Sequence, residues 1–283
     1  MHKLIWSLLL ASTILLPLSS QQFPRIPADM KKYKNELNQI AMAGVAVRND
    51  WKYKILEGNV SAHRYKDRVI KYDKRGRTIE KVMFDEQGIR QSIVVFIYDS
   101  IHLPQSDVEF TPLGELIGKT YYTYSEAGQL SEITSYNSFE YIISKKIYEI
   151  DWQNNTVIER VLFSPDSVNQ KTIFYYSNLN NGLINEEWIY IGENNLDYKK
   201  VIHRNEDNKI DSEIYTTKQG NTMYYLRYNY DQKDNLVQIE RHMPSGIKTR
   251  VFDFNYTSSG LLSGEIKYNE KGEIIHYYKY TYE

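Results

Sequence analysis

The sequence predicts an all-β protein: a long antiparallel meander of about eight tandem hairpins that forms a curled sheet or roll, with a short N-terminal helix. Three observations predict it. The chain of 283 residues contains 26 Tyr against 9 Phe and 4 Trp, it has no Cys, and a short turn pattern recurs at nearly constant spacing. Tyr favours half-buried pleated surfaces, where its ring packs and its hydroxyl reaches water.

The recurring pattern is an aromatic residue, then Asp, Asn, Ser or Thr, then two free positions and Gly. Five copies carry it in full, at 72–76, 84–88, 124–128, 256–260 and 268–272. The polar side chain can hydrogen-bond the backbone of a turn, and Gly accepts the positive φ that closes a type I turn with a bulge. We therefore expect each copy to be a hairpin turn. A looser copy has Asp234-Asn235 in place of the Gly.

The nearly constant spacing of the copies distinguishes the pattern from a chance match to five residues. The anchor positions lie 26 residues apart, with one step of 28, at Tyr72, Tyr98, Tyr124, Ile150, Tyr176, Ile202, Tyr230, Tyr256 and Tyr282. A second turn follows each of several anchors after 12 to 14 residues. Each unit therefore divides into two strands of roughly eight residues. Alternation in Met223–Tyr230 places Tyr224, Leu226 and Tyr228 on one face, which is typical of an antiparallel sheet with one wet side.

The segments 69–79 and 228–236 combine this turn with Tyr-Asp and a following aliphatic residue. In tandem, they resemble the YD (RHS-type) repeats of exported bacterial proteins, and MORN-like hairpin repeats are a near neighbour. The resemblance covers 69–283. It implies a curled sheet that surrounds a cargo or presents a surface, and it implies architecture rather than an activity.

The N-terminus predicts export. A short basic start that contains Lys3 precedes an apolar run over Leu4–Leu18. The small residues Ser19 and Ser20 suit cleavage after Ser20. The alternative is an N-terminal anchor helix, but the run is shorter than the ~20 residues that span a bilayer. We expect a signal peptide over 1–20, a capping helix and lead-in segment over 21–68, and a repeat domain over 69–283.

The segment 27–43 predicts a short amphipathic helix. Pro27 suits a first helical position, and Gly44 stands where a helix would stop. The helix is either a partner-binding element or, more simply, a cap over the end of the array. Residues 45–68 are expected to add a strand or two, and Ser100–Pro112 to form a longer loop.

Charge and composition exclude several classes of partner. Removal of 1–20 leaves 34 basic against 36 acidic side chains. Phosphate binding needs a basic excess, so we expect neither a nucleic-acid partner nor an anionic membrane surface. After the signal, no apolar run is long enough to predict an integral membrane helix. Without Cys the fold cannot depend on disulfides.

No catalytic, cofactor or metal site is predicted. The mature chain has five His (63, 102, 203, 242 and 276), and none stands at a compact ligand spacing. His242 and His276 occupy strand positions that other units fill with aromatic residues, which favours packing. The segment Asn205–Asp211 faintly resembles a calcium loop but has neither the Gly nor the terminal Glu. No nucleophile elbow and no phosphate-binding loop is present.

The leading functional hypothesis is an exported, non-enzymatic β-repeat protein with a structural or binding role in the periplasm, at the cell surface or outside the cell. Its aromatic sheet face would bind glycan or protein, or would simply be core. One alternative is an outer-membrane β-barrel, although the predicted strands are short and carry charges outward. The second alternative is a hydrolase acting on polysaccharide, because paired acids can lie anywhere in a sequence.

Overall fold

A computed structural model describes residues 27–100, 103–163, 167–179 and 182–283. The predicted signal peptide lies outside these residues. The described chain comprises one helix and eighteen strands: α1 Pro27–Met42, β1 Val47–Leu56, β2 Asn59–Tyr72, β3 Thr78–Phe84, β4 Arg90–Tyr98, β5 Pro104–Phe110, β6 Leu116–Tyr124, β7 Leu130–Asn137, β8 Ile142–Asp151, β9 Thr156–Leu162, β10 Gln170–Tyr176, β11 Ile184–Ile191, β12 Asn195–Arg204, β13 Ile210–Thr217, β14 Thr222–Tyr230, β15 Leu236–His242, β16 Lys248–Tyr256, β17 Leu262–Tyr268 and β18 Ile274–Tyr282.

The sheet closes on itself. Each strand pairs antiparallel with the strand that follows it, and β18 pairs back onto β1 from Arg48 opposite Tyr282 to Lys52 opposite Tyr278. The molecule is therefore a closed antiparallel β-barrel with one short helix. The predicted curled sheet or roll with free ends is wrong, because the ladder between the first and last strands leaves no edge.

Strand β1 causes the difference. The sequence analysis treated residues 45–68 as a lead-in to the array, yet β1 pairs with β2 on one side and with β18 on the other. The backbone N–H groups of Ala46 and Val47 donate to the Glu283 carbonyl at 2.8 and 2.9 Å, and the Glu283 N–H donates to Val47 O at 2.9 Å. The division between 68 and 69 falls inside β2, and as a domain boundary it stays a prediction.

The predicted turns are present. At the first, the Asp73 N–H donates to Arg77 O and the Gly76 N–H donates to Asp73 O, both at 2.9 Å. This is the expected type I turn with a bulge, and Gly76 has the positive φ of 76° that closes it. Where the pattern has Asp234 instead of Gly, that residue takes φ 68° and donates to Asp231 O at 3.0 Å.

The predicted loop over 100–112 is wrong. Strand β5 occupies most of it, paired with β4 from Pro104 opposite Tyr98 to Phe110 opposite Ile93. Pro104 is the first residue of the strand, a position at which the missing N–H is tolerated. Of the two Pro residues that suggested a loop, Pro104 therefore begins the strand and Pro112 follows it.

Alternate residues of each strand lie on opposite faces of the ring. In β14, Tyr224 and Leu226 are 8% and 2% exposed, whereas the intervening Tyr225 is 38% exposed. We assign the more buried face to the interior, because side chains converge on the concave side of a closed sheet. The predicted Tyr-lined face of Met223–Tyr230 is therefore interior, and it packs as core.

Among the described residues, the largest cluster of buried apolar side chains lies where the sheet approaches its closure. One apolar cluster runs through β13 to β18, and its members are Tyr215, Tyr224, Leu226, Ile239, Val251, Phe252, Phe254, Leu262 and Tyr280. A second cluster joins α1 to the ring through Ile40, Val45, Ile70, Tyr72 and Leu261. The predicted helix is confirmed, and it lies over one end of the barrel. There Gly76 has no room for a side chain, since a Cβ would overlap Leu37 O.

The repeating Tyr residues have a backbone role. At four anchors the hydroxyl donates to the carbonyl of the residue that begins the neighbouring strand: Tyr98 to Thr78, Tyr230 to Ile210, Tyr256 to Leu236 and Tyr282 to Leu262, at 2.6 to 2.9 Å. Each pair is 20 residues apart, so the same bond recurs with the repeat. Burial raises the pKa of Tyr256 to about 12, which keeps this donor protonated.

The Tyr256→Phe substitution should destabilise the barrel, because it leaves the Leu236 carbonyl without its donor while keeping the ring. We expect a loss of about 1–2 kcal/mol in the free energy of unfolding, measured by urea denaturation. Tyr141→Phe, at a side chain that is 70% exposed, is the matched control and should cost nothing measurable. Equal stability of the two variants would contradict a role for the hydroxyl.

Candidate functional site: the interior of the ring

Among the described residues, fully buried charged side chains lie inside the barrel at two places, and a third, partly buried set lies on β3 to β6. The first, the lysine triad, comprises Glu187 on β11, Lys200 on β12 and Glu213 on β13. The Lys200 Nζ lies 2.7 Å from Glu187 Oε1 and 3.5 Å from Glu213 Oε1. The Tyr215 hydroxyl donates to Glu213 Oε2 at 2.8 Å. All three charged side chains are at least nine-tenths buried, so their mutual pairing is what makes their burial tolerable.

The triad is held together electrostatically. Burial alone would lower the pKa of Lys200, but the carboxylates of Glu187 and Glu213 outweigh it and raise that pKa above its usual value. The lysine therefore stays charged well into the alkaline range. With two carboxylates around one ammonium, the triad carries a net formal charge of about −1.

The second place, the seam cluster, lies where the ring closes. Arg48 and Asp50 on β1 form a bidentate pair at 2.8 and 3.1 Å, and Arg68 Nε on β2 lies 3.1 Å from Asp50 Oδ2. The Arg48 guanidinium also lies 5.1 Å from the ring centroid of Tyr280 on β18. One carboxylate thus organises side chains of three strands at the closure.

Tyr280 links the seam cluster to β17, because its hydroxyl donates to Glu265 Oε2 at 3.3 Å. Burial raises the pKa of Glu265, while the bond from Tyr280 and the nearby Arg68 oppose the increase. Glu265 is therefore more easily protonated than a carboxyl that is fully exposed to water.

A third interior feature lies on β3 to β6. The Tyr122 hydroxyl donates to Asp107 Oδ2 at 2.6 Å. Burial raises the pKa of Asp107, and the Tyr122 O–H and the Lys81 ammonium oppose the shift. Burial, together with Arg68 and Arg48, in turn lowers the pKa of Lys81. The interior on this side is therefore polar.

The residues singled out in the sequence are dispersed. His242 is buried on the outer face, where its ring stacks on Tyr225 with centroids 4.6 Å apart. His276 stacks on Tyr278, and burial lowers its pKa. Both contacts are packing contacts, as the pattern predicted. His102 lies outside the described residues. The faint calcium loop is a turn like the others, in which Asn205 Oδ1 accepts the backbone N–H groups of Asp207 and Lys209.

A groove of about 480 Å³ lies between the β14–β15 and β16–β17 turns, lined by Asp231, Lys233, Phe254, Tyr256 and neighbouring residues. Its acid, Asp231, accepts three hydrogen bonds from residues of its own turn, two from backbone N–H groups and one from the Asn235 amide. These bonds lower the pKa of Asp231, the Asn235 amide most, and they engage the carboxylate in closing the turn.

The interior charges were not recognised in the sequence, although a signal exists. Lys200 stands between Tyr198 and Ile202 at positions that alternation assigns to one face, and Asp50 stands between Arg48 and Lys52 in the same way. A charge at such a position either disrupts the core or is paired within it. The pairing partners lie on neighbouring strands and cannot be identified without the register.

Two further observations bear on chemistry. Among the described residues, no group of three or more His, Asp or Glu side chains is placed to hold a metal ion. Within the same part of the chain, no helix has both the length and the apolar character needed to cross a membrane.

Comparison with known proteins gives weak similarities. No family model and no curated protein matches the chain. Among solved structures, the Tc holotoxin pore of Photorhabdus luminescens shows 13% identity and a TM-score of 0.35, over 77% of this chain and 13% of that one. A porin-like protein from Bacteroides uniformis shows 9% identity and a TM-score of 0.35, over 84% and 96%. Another, from Bacteroides vulgatus, shows 10% and 0.30, over 84% and 98%.

These similarities do not assign a family or a function. All three TM-scores lie below 0.5, and this chain spans about an eighth of the toxin chain that it resembles. The described fold does agree with the coarser part of the YD-type resemblance, since it is an all-β array of tandem strands. Membership of that repeat family stays an expectation.

The Lys200→Met variant should be destabilised by about 3–5 kcal/mol at pH 7, because two buried carboxylates lose their counter-charge. Their folded-state pKa values would then exceed the unfolded ones, so the folded protein would bind more protons and regain stability as the pH falls toward 5. Urea denaturation at several pH values measures both effects.

The control is Lys199→Met, one residue along. Its ammonium faces outward, 3.7 Å from the ring centroid of Trp188, so its loss should cost about 1 kcal/mol or less. Equal destabilisation of the two variants, or no acid recovery in Lys200→Met, would show that the triad is not a buried charge network.

Proposed function

We propose that this protein is an exported β-barrel of the bacterial envelope with a non-enzymatic structural or binding role, and that water rather than lipid surrounds its wall. The observation that carries the proposal is the set of ion pairs on the outer face. These pairs join residues of neighbouring strands. Lys71 is the last but one residue of β2, whereas Lys145 and Arg160 lie further inside β8 and β9.

Three pairs illustrate the outer face. Lys71 Nζ on β2 lies 2.7 Å from Glu80 Oε1 on β3, and Lys145 Nζ on β8 lies 2.7 Å from Glu132 Oε2 on β7. Arg160 on β9 adds a contact of 2.8 Å with a carboxylate of β8. A Lys or Arg on the lipid face of a membrane barrel costs about 2–4 kcal/mol at the bilayer midplane. Repeated charges of this kind favour a wall in water.

Strand length supports the same conclusion. In the described part of the chain, six strands have seven residues: β3, β5, β9, β10, β15 and β17. A strand that crosses a bilayer at a tilt needs about 9–11 residues. The turns at both ends are short, whereas membrane barrels usually combine short turns on one side with long loops on the other.

An outer-membrane barrel is the second candidate. The closure of the sheet supports this alternative better than it supports a role that needs an open repeat sheet. In a closed ring each backbone group of the strands can pair with a neighbour, which is the condition for crossing a membrane with strands. An apolar sector of the outer face also supports the outer-membrane alternative. In this sector Val95, Ile97, Ile117 and Tyr121 are 36% to 45% exposed.

The proposed binding partners are glycan or protein, and the outer aromatic pairs suit them better than the interior ring of Tyr does. Tyr121 and Tyr136 contact each other on the outer face with ring centroids 5.8 Å apart, and Tyr53 stacks on Tyr277 at 4.7 Å. Exposed aromatic faces stack on sugar rings and on apolar side chains. The interior Tyr residues are already packed.

Residues 21–283, produced without the signal, should remain in the supernatant after ultracentrifugation in detergent-free buffer and should give the circular dichroism of β-sheet. A protein that dissolves only in detergent, and that produces ion conductance when reconstituted into a planar bilayer, would refute the proposal in favour of the outer-membrane barrel.

A further inference from the structure

Three cations on the outer face at the seam form no ion pair with a carboxylate of the described residues. Lys66 on β2 and Lys279 on β18 are opposed to Trp51 of β1 from its two sides, and Arg64 is opposed to Tyr53. By contrast, each outer cation named above lies 2.7 or 2.8 Å from a carboxylate. These three cations and the aromatic rings between them are called the seam patch.

Aromatic side chains position two of the cations. The Arg64 guanidinium carbon lies 4.8 Å, and the Lys66 Nζ 5.2 Å, from the ring centroid of Trp51. The Trp51 Nε1–H in turn donates to Thr281 Oγ1 at 3.3 Å. An Arg64 N–H donates to the Tyr53 hydroxyl at 3.4 Å. Because a cation–π contact holds a cation without neutralising it, the charge of both side chains stays available to an anion from solvent.

The carboxylates beside the seam patch are engaged with other groups. Asp67 lies in the bulge of β2, and its carboxylate contacts Arg68 of the seam cluster at 3.7 Å. On β16, Asp253 accepts the Tyr268 hydroxyl at 2.6 Å and contacts Arg250 at 3.3 Å. Neither carboxylate therefore compensates the three cations.

Toward the two ends of the strands, the carboxylates are engaged locally or are distant. The first group comprises Glu80 and Glu86, in ion pairs with Lys71 and Lys54, and Asp85, which accepts N–H groups of its own turn. The second group lies at least four residues along the chain from Tyr53 or Lys279 and comprises Glu57, Glu273 and Glu283. Four residues of extended strand span about 13 Å, which exceeds the Debye length of ~10 Å at 0.1 M salt. The seam patch therefore keeps a net positive charge.

The spacing of the cations specifies a ligand with more than one charge. Lys66 and Lys279 flank Trp51, so their backbones lie two strand spacings apart, about 10 Å. A single carboxylate cannot bond both side chains at that separation. The separation is close to the length of a disaccharide, so a polysaccharide with one carboxylate in each disaccharide presents its charges at this interval.

The surroundings of the row suit the sugars of such a chain. Tyr53 and Tyr277 stack on the same outer face with ring centroids 4.7 Å apart. On the other side of Lys279, the opposed residue of β17 is Gly264, which places no side chain above the sheet. A polysaccharide can therefore lie across the strands from Lys66 to Gly264, with apolar sugar faces against the aromatic rings.

Charge and location favour an acidic polysaccharide over other polyanions. Attachment to an anionic bilayer uses clusters of about four to eight Lys or Arg, and the seam patch offers three. Nucleic-acid surfaces carry a basic excess, whereas residues 21–283 carry 34 basic against 36 acidic side chains. An exported protein, as proposed above, encounters envelope polysaccharide rather than cytoplasmic nucleic acid.

We propose that Arg64, Lys66 and Lys279, arranged around Trp51, form a binding site for an acidic polysaccharide whose carboxylates bond the three cations. This inference rests on the proposed function, and it names the class of glycan that the outer wall binds. The binding is electrostatic and reversible, and it weakens as salt screens the charges.

Titration calorimetry of residues 21–283 with a hyaluronan octasaccharide tests the inference, because each disaccharide of this probe carries one carboxylate. We expect saturable binding at about 50 mM salt and a several-fold lower affinity at about 300 mM. The same octasaccharide with its carboxylates reduced to alcohols should bind at least about tenfold more weakly, since the sugars remain and the charges are lost.

The Arg64→Gln, Lys66→Gln, Lys279→Gln triple variant should lower the affinity about tenfold, because three exposed charge pairs with the ligand are removed. The control variant Lys145→Gln, Lys171→Gln, Lys199→Gln removes the same number of charges from β8, β10 and β12 and should keep the affinity. Equal losses in the two triple variants, undiminished binding of the reduced octasaccharide, or no binding of the octasaccharide would overturn the inference. Binding of a single-stranded DNA oligonucleotide or of phosphatidylglycerol vesicles in place of the octasaccharide would also overturn it.

This test and the solubility test fail separately. A protein that is soluble without detergent and ignores the octasaccharide keeps the proposed function and loses the acidic glycan. A protein that needs detergent loses the proposed function, and with it the inference.

Discussion

The pairing of β18 with β1 is the constraint on which the rest of the structure depends. It joins residues as far apart in sequence as Asn49 and Glu283, whose side chains bond at 2.8 Å across 234 positions. Without this ladder, β1 and β18 would each expose an edge, and the sheet would offer a template for aggregation. With this ladder, the sheet has an inner and an outer face. The assignment of each side chain to one of the two faces depends on that closure.

Once the ring is closed, its interior must be filled or its polar groups satisfied. The anchor Tyr residues meet both demands, because each ring packs while at least four hydroxyls bond a neighbouring backbone carbonyl. The buried charges follow the same logic. Asp50 is surrounded by two guanidinium groups and Lys200 by two carboxylates, so neither is left alone in a region of low dielectric constant. The ion pairs on the outer face, such as Lys71 with Glu80 and Lys145 with Glu132, are much more exposed than these buried charges, and exposed pairs contribute little to stability.

The turns and the helix were predictable from the sequence, whereas the closure of the sheet was not. The turn at Asp73–Gly76 and the helix that begins at Pro27 depend on residues within a few positions of one another. Closure depends instead on β1, whose sequence carries none of the repeat's turn pattern and was therefore assigned to a lead-in. The interior charges were missed for a related reason, since Lys200 differs from a surface lysine only by its place in the alternation and by partners on other strands.

Closure itself is tested most directly by a disulfide across the seam, since the chain has no Cys of its own. Trp51 and Lys279 are opposed on β1 and β18, and both face outward. Directly opposed residues of an antiparallel pair lie about 4.5–5.5 Å apart at Cα, which a disulfide can bridge. We expect the Trp51→Cys, Lys279→Cys variant to lose both thiols on mild oxidation as a monomer, while Trp51→Cys combined with Lys199→Cys keeps them. Retention of both thiols in the first variant would contradict a closed barrel.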